Sequence, residues 1–170
     1  MTDPVAIRIA ETFNGVFLAS HHTSMRGGAA EPLYEPAMGS KPAQIVFTRD
    51  YPASALHEAA HWCLAGRQRR TQRDYGYWYL PGPRDPVQRE AFFRAEADVQ
   101  ALEAVFARTC GVRFVVSADD FDASPAELGR FETIVAKRLA IRRITLPSRA
   151  RRFCEALTTA FAIEPLAHHG

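Results

Sequence analysis

The run Ser54 to Gly66 constrains this chain more than any other, because it contains His57-Glu58-x-x-His61. On a helix, His57 and His61 lie one turn apart on the same face, and their imidazoles can share one metal ion. Two neutral imidazoles suit zinc, iron, copper or nickel, so the spacing does not name the metal. Glu58 falls about 100° round the helix from His57, beside the metal rather than on the ligand face. The helix itself is well marked. Pro52 suits its first turn, its interior has no Gly or Pro, and Gly66 reads as a left-handed stop followed by Arg67, Arg69 and Arg70. The competing reading is a core helix whose two histidines are simply hydrogen-bonded.

Composition narrows the class. A chain of 170 residues fits one domain, 1–170, with one sizeable core. Hydrophobic content of 47% and charged content of 24% are those of a soluble globular protein. No apolar run approaches the roughly 18–20 residues of a membrane span, and the N-terminus carries no basic region followed by an apolar stretch. Cys63, Cys110 and Cys154 form no Cys-x-x-Cys pair, so neither a disulfide framework nor a zinc ribbon is expected. These features place the chain in the reducing cytoplasm. Positive charge is clustered: Arg67, Arg69, Arg70 and Arg73 in one stretch, and Arg130, Lys137, Arg138, Arg142, Arg143, Arg149, Arg151 and Arg152 in another. Such a surface attracts acidic partners, or is merely a solvated face.

Taken in order, residues 4–18 read as an amphipathic helix with Val5, Ile9, Phe13, Val16 and Phe17 on one stripe. Residues 20–43, rich in Gly, Ser, Pro and Ala, read as an irregular loop, and His21 and His22 there are weak ligand candidates. Ile45, Val46 and Phe47 suit a buried strand that feeds the motif helix. Residues 74–79 hold Tyr75, Tyr77, Trp78 and Tyr79, which read as a strand forming either core or a wall of the cleft. Asp85 and Pro86 open a long helix that runs to about Thr109 and stops before Gly111, with Phe92, Ala95, Val99, Leu102 and Phe106 as its stripe. Glu96 sits at the edge of that stripe, where a bare carboxylate needs a cationic partner: a metal ion or an arginine. Val112 to Val116 reads as a short strand, and residues 125–143 and 147–162 as two further helices.

His57, His61 and a carboxylate from a later helix make a two-His, one-carboxylate set. In a zinc peptidase such a metal activates water, with Glu58 as general base. In a non-haem iron oxygenase the open positions serve dioxygen and substrate. A non-catalytic binding module is the third reading. Spacing alone does not separate them.

Wider context does. Glu31-Pro32-Leu33-Tyr34, Gln44-Ile45-Val46-Phe47, the run Ser54 to Gly66, Asp74-Tyr75-Gly76-Tyr77-Trp78-Tyr79 and Arg84-Asp85 occur in this order. Together they closely resemble the bacterial elongation factor P hydroxylase family. The resemblance implies a cytoplasmic, iron-dependent protein-lysine hydroxylase of monooxygenase type. Its substrate would be the β-lysyl-lysine side chain of acidic elongation factor P, with no membrane or direct nucleic-acid contact. It implies Fe2+ (zinc possible as purified) with dioxygen as co-substrate, and His57, His61 and Glu96 as ligands. Glu96 matches the family's Glu in Glu-x-x-x-Gln-Ala-Leu. Glu58 would be catalytic, holding a water or accepting a proton. Tyr75, Tyr77, Trp78, Tyr79, Arg67, Arg70 and Arg84 are expected to contact the substrate. Pro81-Gly82-Pro83 departs from the Asp and Gly often found before Arg84. The expected fold is α+β, several helices around a small sheet, with zincin-like placement of the motif helix and no double-stranded β-helix.

Overall fold

A computed structural model describes residues 3–76, 85–118 and 123–162. The elements run α1 (Pro4–His21), β1 (Thr23–Ala29), β2 (Leu33–Glu35), β3 (Ala43–Thr48), α2 (Pro52–Leu64), α3 (Pro86–Cys110), α4 (Pro125–Arg142) and α5 (Ser148–Ala160). The sheet among the described residues has three strands in the order β1-β3-β2, and no barrel closes. The fold is α+β, as expected.

The apolar β3 lies at the sheet centre, parallel to β1 and antiparallel to β2. Its Ile45, Val46 and Phe47 are all buried. A tight turn with Arg49 at φ 47° then delivers the chain into α2, so the central strand sets where the motif helix begins. Helix α1 starts on an Asp3 cap, whose carboxylate accepts the Val5 N–H at 2.7 Å. It buries Ile9, Phe13 and Phe17 at helical spacing.

Trp62, next to the second motif histidine, is the centre of the core. Phe13 and Phe17 lie 5.1 and 4.6 Å from it, and Phe153 of α5 packs on both phenylalanines. Helix α3 is buried on two sides. Val99, Leu102 and Phe106 face the main core, while Phe93 and Ala97 join Phe131 and Val135 of α4 in a second cluster. The expected stripe is therefore shifted at its start. Phe92 and Ala95 line a cleft, and Phe93 is the buried aromatic.

Four expectations are corrected. Residues 20–43 are not a loop: they carry β1 and β2. The glycines there serve strand packing. A Cβ on Gly27 would collide with the Arg49 carbonyl and the Phe47 ring, and Gly28 (φ 103°) forms the bulge whose N–H donates to Arg49 O at 2.7 Å. Gly27→Ala is expected to destabilise the fold by about 1–3 kcal/mol, read as a fall in thermal midpoint. A midpoint unchanged from wild type would contradict this packing.

Second, Gly66 does not supply a left-handed stop. Helix α2 ends at Leu64 with Ala65 extended. Its last carbonyls are satisfied by side chains instead: Arg149 donates to Cys63 O and Ala65 O at 3.0 and 2.6 Å, and Arg70 donates to Ala65 O at 2.8 Å. Third, residues 73–76 form a 3-10 turn rather than the start of a strand, with Asp74, Tyr75 and Gly76 all at positive φ. The Asp74 carboxylate holds this turn by accepting the Tyr34 N–H at 2.9 Å. Fourth, residues 112–116 pair with no strand among the described residues. Just beyond them the side chain of Gln100 takes the place of a sheet neighbour, accepting the Ser117 N–H at 3.1 Å and donating to its carbonyl at 2.6 Å. Tyr77, Trp78, Tyr79 and Arg84 lie outside the described residues.

Candidate metal centre

Two helices meet at the motif. Residues of α2 carry His57 and His61 on the face turned to α3, and α3 answers with a polar ladder at i, i+4 and i+7: Glu96, Gln100 and Glu103. These polar residues are buried within an otherwise apolar helix face. Such burial without partners is unfavourable, and each partner is identifiable.

The Nε2 atoms of His57 and His61 face one another at 3.1 Å. The Glu96 carboxylate spans them, with Oε1 at 3.4 Å from His57 Nε2 and Oε2 at 3.6 Å from His61 Nε2. One donor atom from each of these residues lies within 4.8 Å of the others, and no further histidine, cysteine or acid completes such a group among the described residues. His21 and His22 are thus outside it. His21 packs edge-on against Trp62 at 5.5 Å.

The donor set fits a transition-metal ion. Metal–ligand bonds of about 2.0–2.2 Å place adjacent donors roughly 2.8–3.6 Å apart in octahedral or tetrahedral geometry. The 3.1 Å between the two imidazole nitrogens falls within that range, as do the 3.4 and 3.6 Å from them to Oε1 and Oε2 of the Glu96 carboxylate, respectively. Nitrogen and carboxylate donors suit iron or zinc alike.

The charge balance points the same way. Glu58 (8% exposed), Glu96 and Glu103 are all buried round the histidine pair. Burial pushes the Glu58 carboxyl up to about 7, with His57 opposing and Glu96, Asp74 and Glu103 reinforcing the shift. Burial works against a charged His57, but its hydrogen bond to Glu103 and the carboxylates of Glu96, Glu103 and Glu58 outweigh that, and its pKa rises to about 10. Burial, and then the neighbouring His57, hold His61 well below the usual imidazole range. Three buried carboxyl groups gathered round a pair of imidazoles make a setting in which a divalent cation would be favourably bound.

Glu103 and Gln100 are the residues that sequence reasoning missed. Glu103 Oε2 accepts from His57 Nδ1 at 2.8 Å. Gln100 donates to Glu96 Oε1 at 3.2 Å while bolted to the Ser117 backbone. The signal was present: the polar spacing 96, 100, 103 places all three on the face that carries the proposed ligand.

A cleft of about 1240 Å3 opens over this centre. Glu58 reaches it from α2 beside His57, and Thr48, Tyr51, Phe92 and Val115 belong to its lining. Tyr75 is brought to the centre, but as a buried wall residue, 3% exposed. Its ring stacks on Tyr34 at 4.2 Å and lies nearly parallel to His61 at 6.1 Å. Tyr34 is held in turn by its hydroxyl, which donates to Arg70 O at 2.7 Å. Arg70 is committed to the fold, donating to Ala65 O and lying 5.8 Å over the Trp62 ring. Arg67 is exposed and away from the cleft lining, whereas Arg69 and Arg73 line the cleft and Arg69 donates to Tyr75 O at 3.3 Å. The second basic stretch is also partly structural: Arg142 pairs with Asp98 at 3.1 Å, and Arg149 closes the end of α2.

The family model described as elongation factor P hydroxylase matches residues 12–169. The chain belongs to the elongation factor P hydroxylase family. The elongation factor P lysine hydroxylase of Haemophilus influenzae is 36% identical over 158 residues, which span 92% of this chain and 89% of the relative. The family match therefore includes the motif helix, the α3 ladder and both C-terminal helices.

Proposed function

We propose that this chain is a metal-dependent hydroxylase domain acting on the β-lysyl-lysine side chain of elongation factor P in the cytoplasm. The observation that carries the proposal is the convergence of His57, His61 and Glu96 in a chain of this family. The relative's name supplies the class of substrate. No helix of the described residues is long and apolar enough to cross a membrane.

His57, His61 and Glu96 would hold ferrous iron, leaving open positions toward the cleft. Bound there, iron would supply the activation of dioxygen. Hydroxylation adds one oxygen atom to a side-chain carbon and releases the other as water, so it draws two electrons from an added reductant. Glu58, balanced near neutrality by burial and its neighbours, suits the holding or passing of a proton at the cleft floor. The acids around the floor suit a long side chain carrying positive charge, while Tyr34 and Tyr75 keep the wall rigid. Dioxygen uptake that needs ferrous iron and lysylated elongation factor P together is the expected result. Uptake indifferent to that protein would remove it as the substrate.

Arg69 and Arg73 at the cleft, with exposed Arg67 nearby in sequence, would meet the acidic body of the factor. Raising ionic strength should then raise KM severalfold with little change in kcat. A KM independent of salt would remove the docking role of these arginines.

A further inference from the structure

Resting on the reading of His57 as a metal ligand, we infer that Glu103 is a positioning residue that fixes which nitrogen of His57 meets the metal. Glu103 is buried, two helical turns beyond Glu96 on α3, and its Oε2 lies 2.8 Å from His57 Nδ1. With the carboxylate oxygen as the acceptor of this short contact, the hydrogen-bonding proton falls on Nδ1. In the neutral, metal-ligating form of His57 this leaves Nε2, the atom 3.1 Å from His61 Nε2, to offer its lone pair to the centre.

The rest of the ladder supports the assignment. Glu96 and Glu103 come from one rigid 25-residue helix, which is closed by a capping box at Asp85 and by Gly111 in the left-handed cap. Gln100, between them, donates to Glu96 and is tied to the Ser117 backbone by both its donor and its acceptor. One helix thus presents a ligand, a group that steers that ligand, and a group that steers a ligand on the facing helix. Helix packing alone does not call for a carboxylate 2.8 Å from an imidazole Nδ1 whose other nitrogen lies 3.1 and 3.4 Å from two further metal-donor atoms.

Zinc serves as the probe, because its binding is read without substrate or turnover. Glu103→Ala is expected to weaken zinc binding about 10–100-fold in chelator competition, and Glu103→Gln, which keeps an acceptor but loses the charge, by less. Both are measured well below their thermal midpoints, with circular dichroism confirming the fold. Nitrogen NMR of the zinc-loaded wild type should show His57 protonated at Nδ1 and bound through Nε2, and Glu103→Ala should lose that single tautomer. If His57→Ala loses zinc while folded Glu103→Ala and Glu103→Gln bind it as tightly as wild type, Glu103 is a packing residue and the inference is overturned, although the ligand reading stands. If His57→Ala binds zinc unchanged, both fall.

Discussion

His57→Ala and Glu96→Ala are each expected to lower hydroxylation by more than about 100-fold, because even residues that only support metal ligands are worth about 10–100-fold. The same variants should lose stoichiometric metal after gel filtration. The two substitutions come from different helices, α2 and α3, so a shared loss would show that the helices meet at one ion. Neither residue belongs to the apolar core cluster that contains Trp62. A cooperative thermal transition should therefore survive in both. Retention of metal and near-normal turnover in Glu96→Ala would remove the carboxylate from the ligand set. His61→Ala should behave like His57→Ala, whereas Glu58→Gln should keep its metal and lose rate, because Glu58 lies outside the converging donor group.

Trp62→Ala is expected to have the largest effect on stability. Trp62 is fully buried among Phe13, Phe17 and His21, with the Arg149 guanidinium 4.7 Å from the ring. Removing a large buried aromatic costs about 3–5 kcal/mol. A domain of this size shifts by roughly 2–4 °C per kcal/mol, so the midpoint should fall by roughly 6–20 °C. The loss would propagate to the site, because His61 precedes Trp62 directly and α2 is closed by the arginines packed on this ring. Trp62→Phe keeps an aromatic core and should lose appreciably less. A change under about 1 kcal/mol in urea titration of Trp62→Ala would contradict the placement of Trp62 at the core centre.

Much of this was legible in sequence, for identifiable reasons. The helices announced themselves through strong local signals: apolar spacing in 4–18, Pro52 at a helix start, Asp85-Pro86 before α3 and Gly111 after it. β3 was legible because a buried central strand is a continuous apolar run. β1 was not, because its residues, including Gly27 and Gly28, resemble a loop until the Arg49 carbonyl and Phe47 ring that press on them are known. The end of α2 was misread for a similar reason. Gly66 is a local signal, but the actual stop comes from Arg149, far along the chain. Tyr75 read as a strand residue on propensity, yet the Asp74–Tyr34 bond turns the backbone to positive φ there. Tertiary hydrogen bonds overrode local preference in each case.

At the centre, His57 and His61 follow from their spacing alone. Glu96 required the cost of burying a carboxylate together with family resemblance. Glu103 escaped notice because its role depends on the crossing of α2 and α3, which brings residues 46 apart in sequence to 2.8 Å. The polar spacing 96, 100 and 103 marks the face that Glu103 shares with Glu96, but no pattern within one helix encodes the crossing that brings that face to His57.

The most direct test of the central claim is intact-mass measurement of lysylated elongation factor P. The protein is first reconstituted with ferrous iron without air, then given a reductant and dioxygen. A gain of one oxygen atom in the substrate, absent with His57→Ala and with Glu96→Ala, is the predicted result. No gain in mass, with tightly held zinc and cleavage of a peptide substrate that Glu58→Gln abolishes, would contradict it and assign the same centre to hydrolysis.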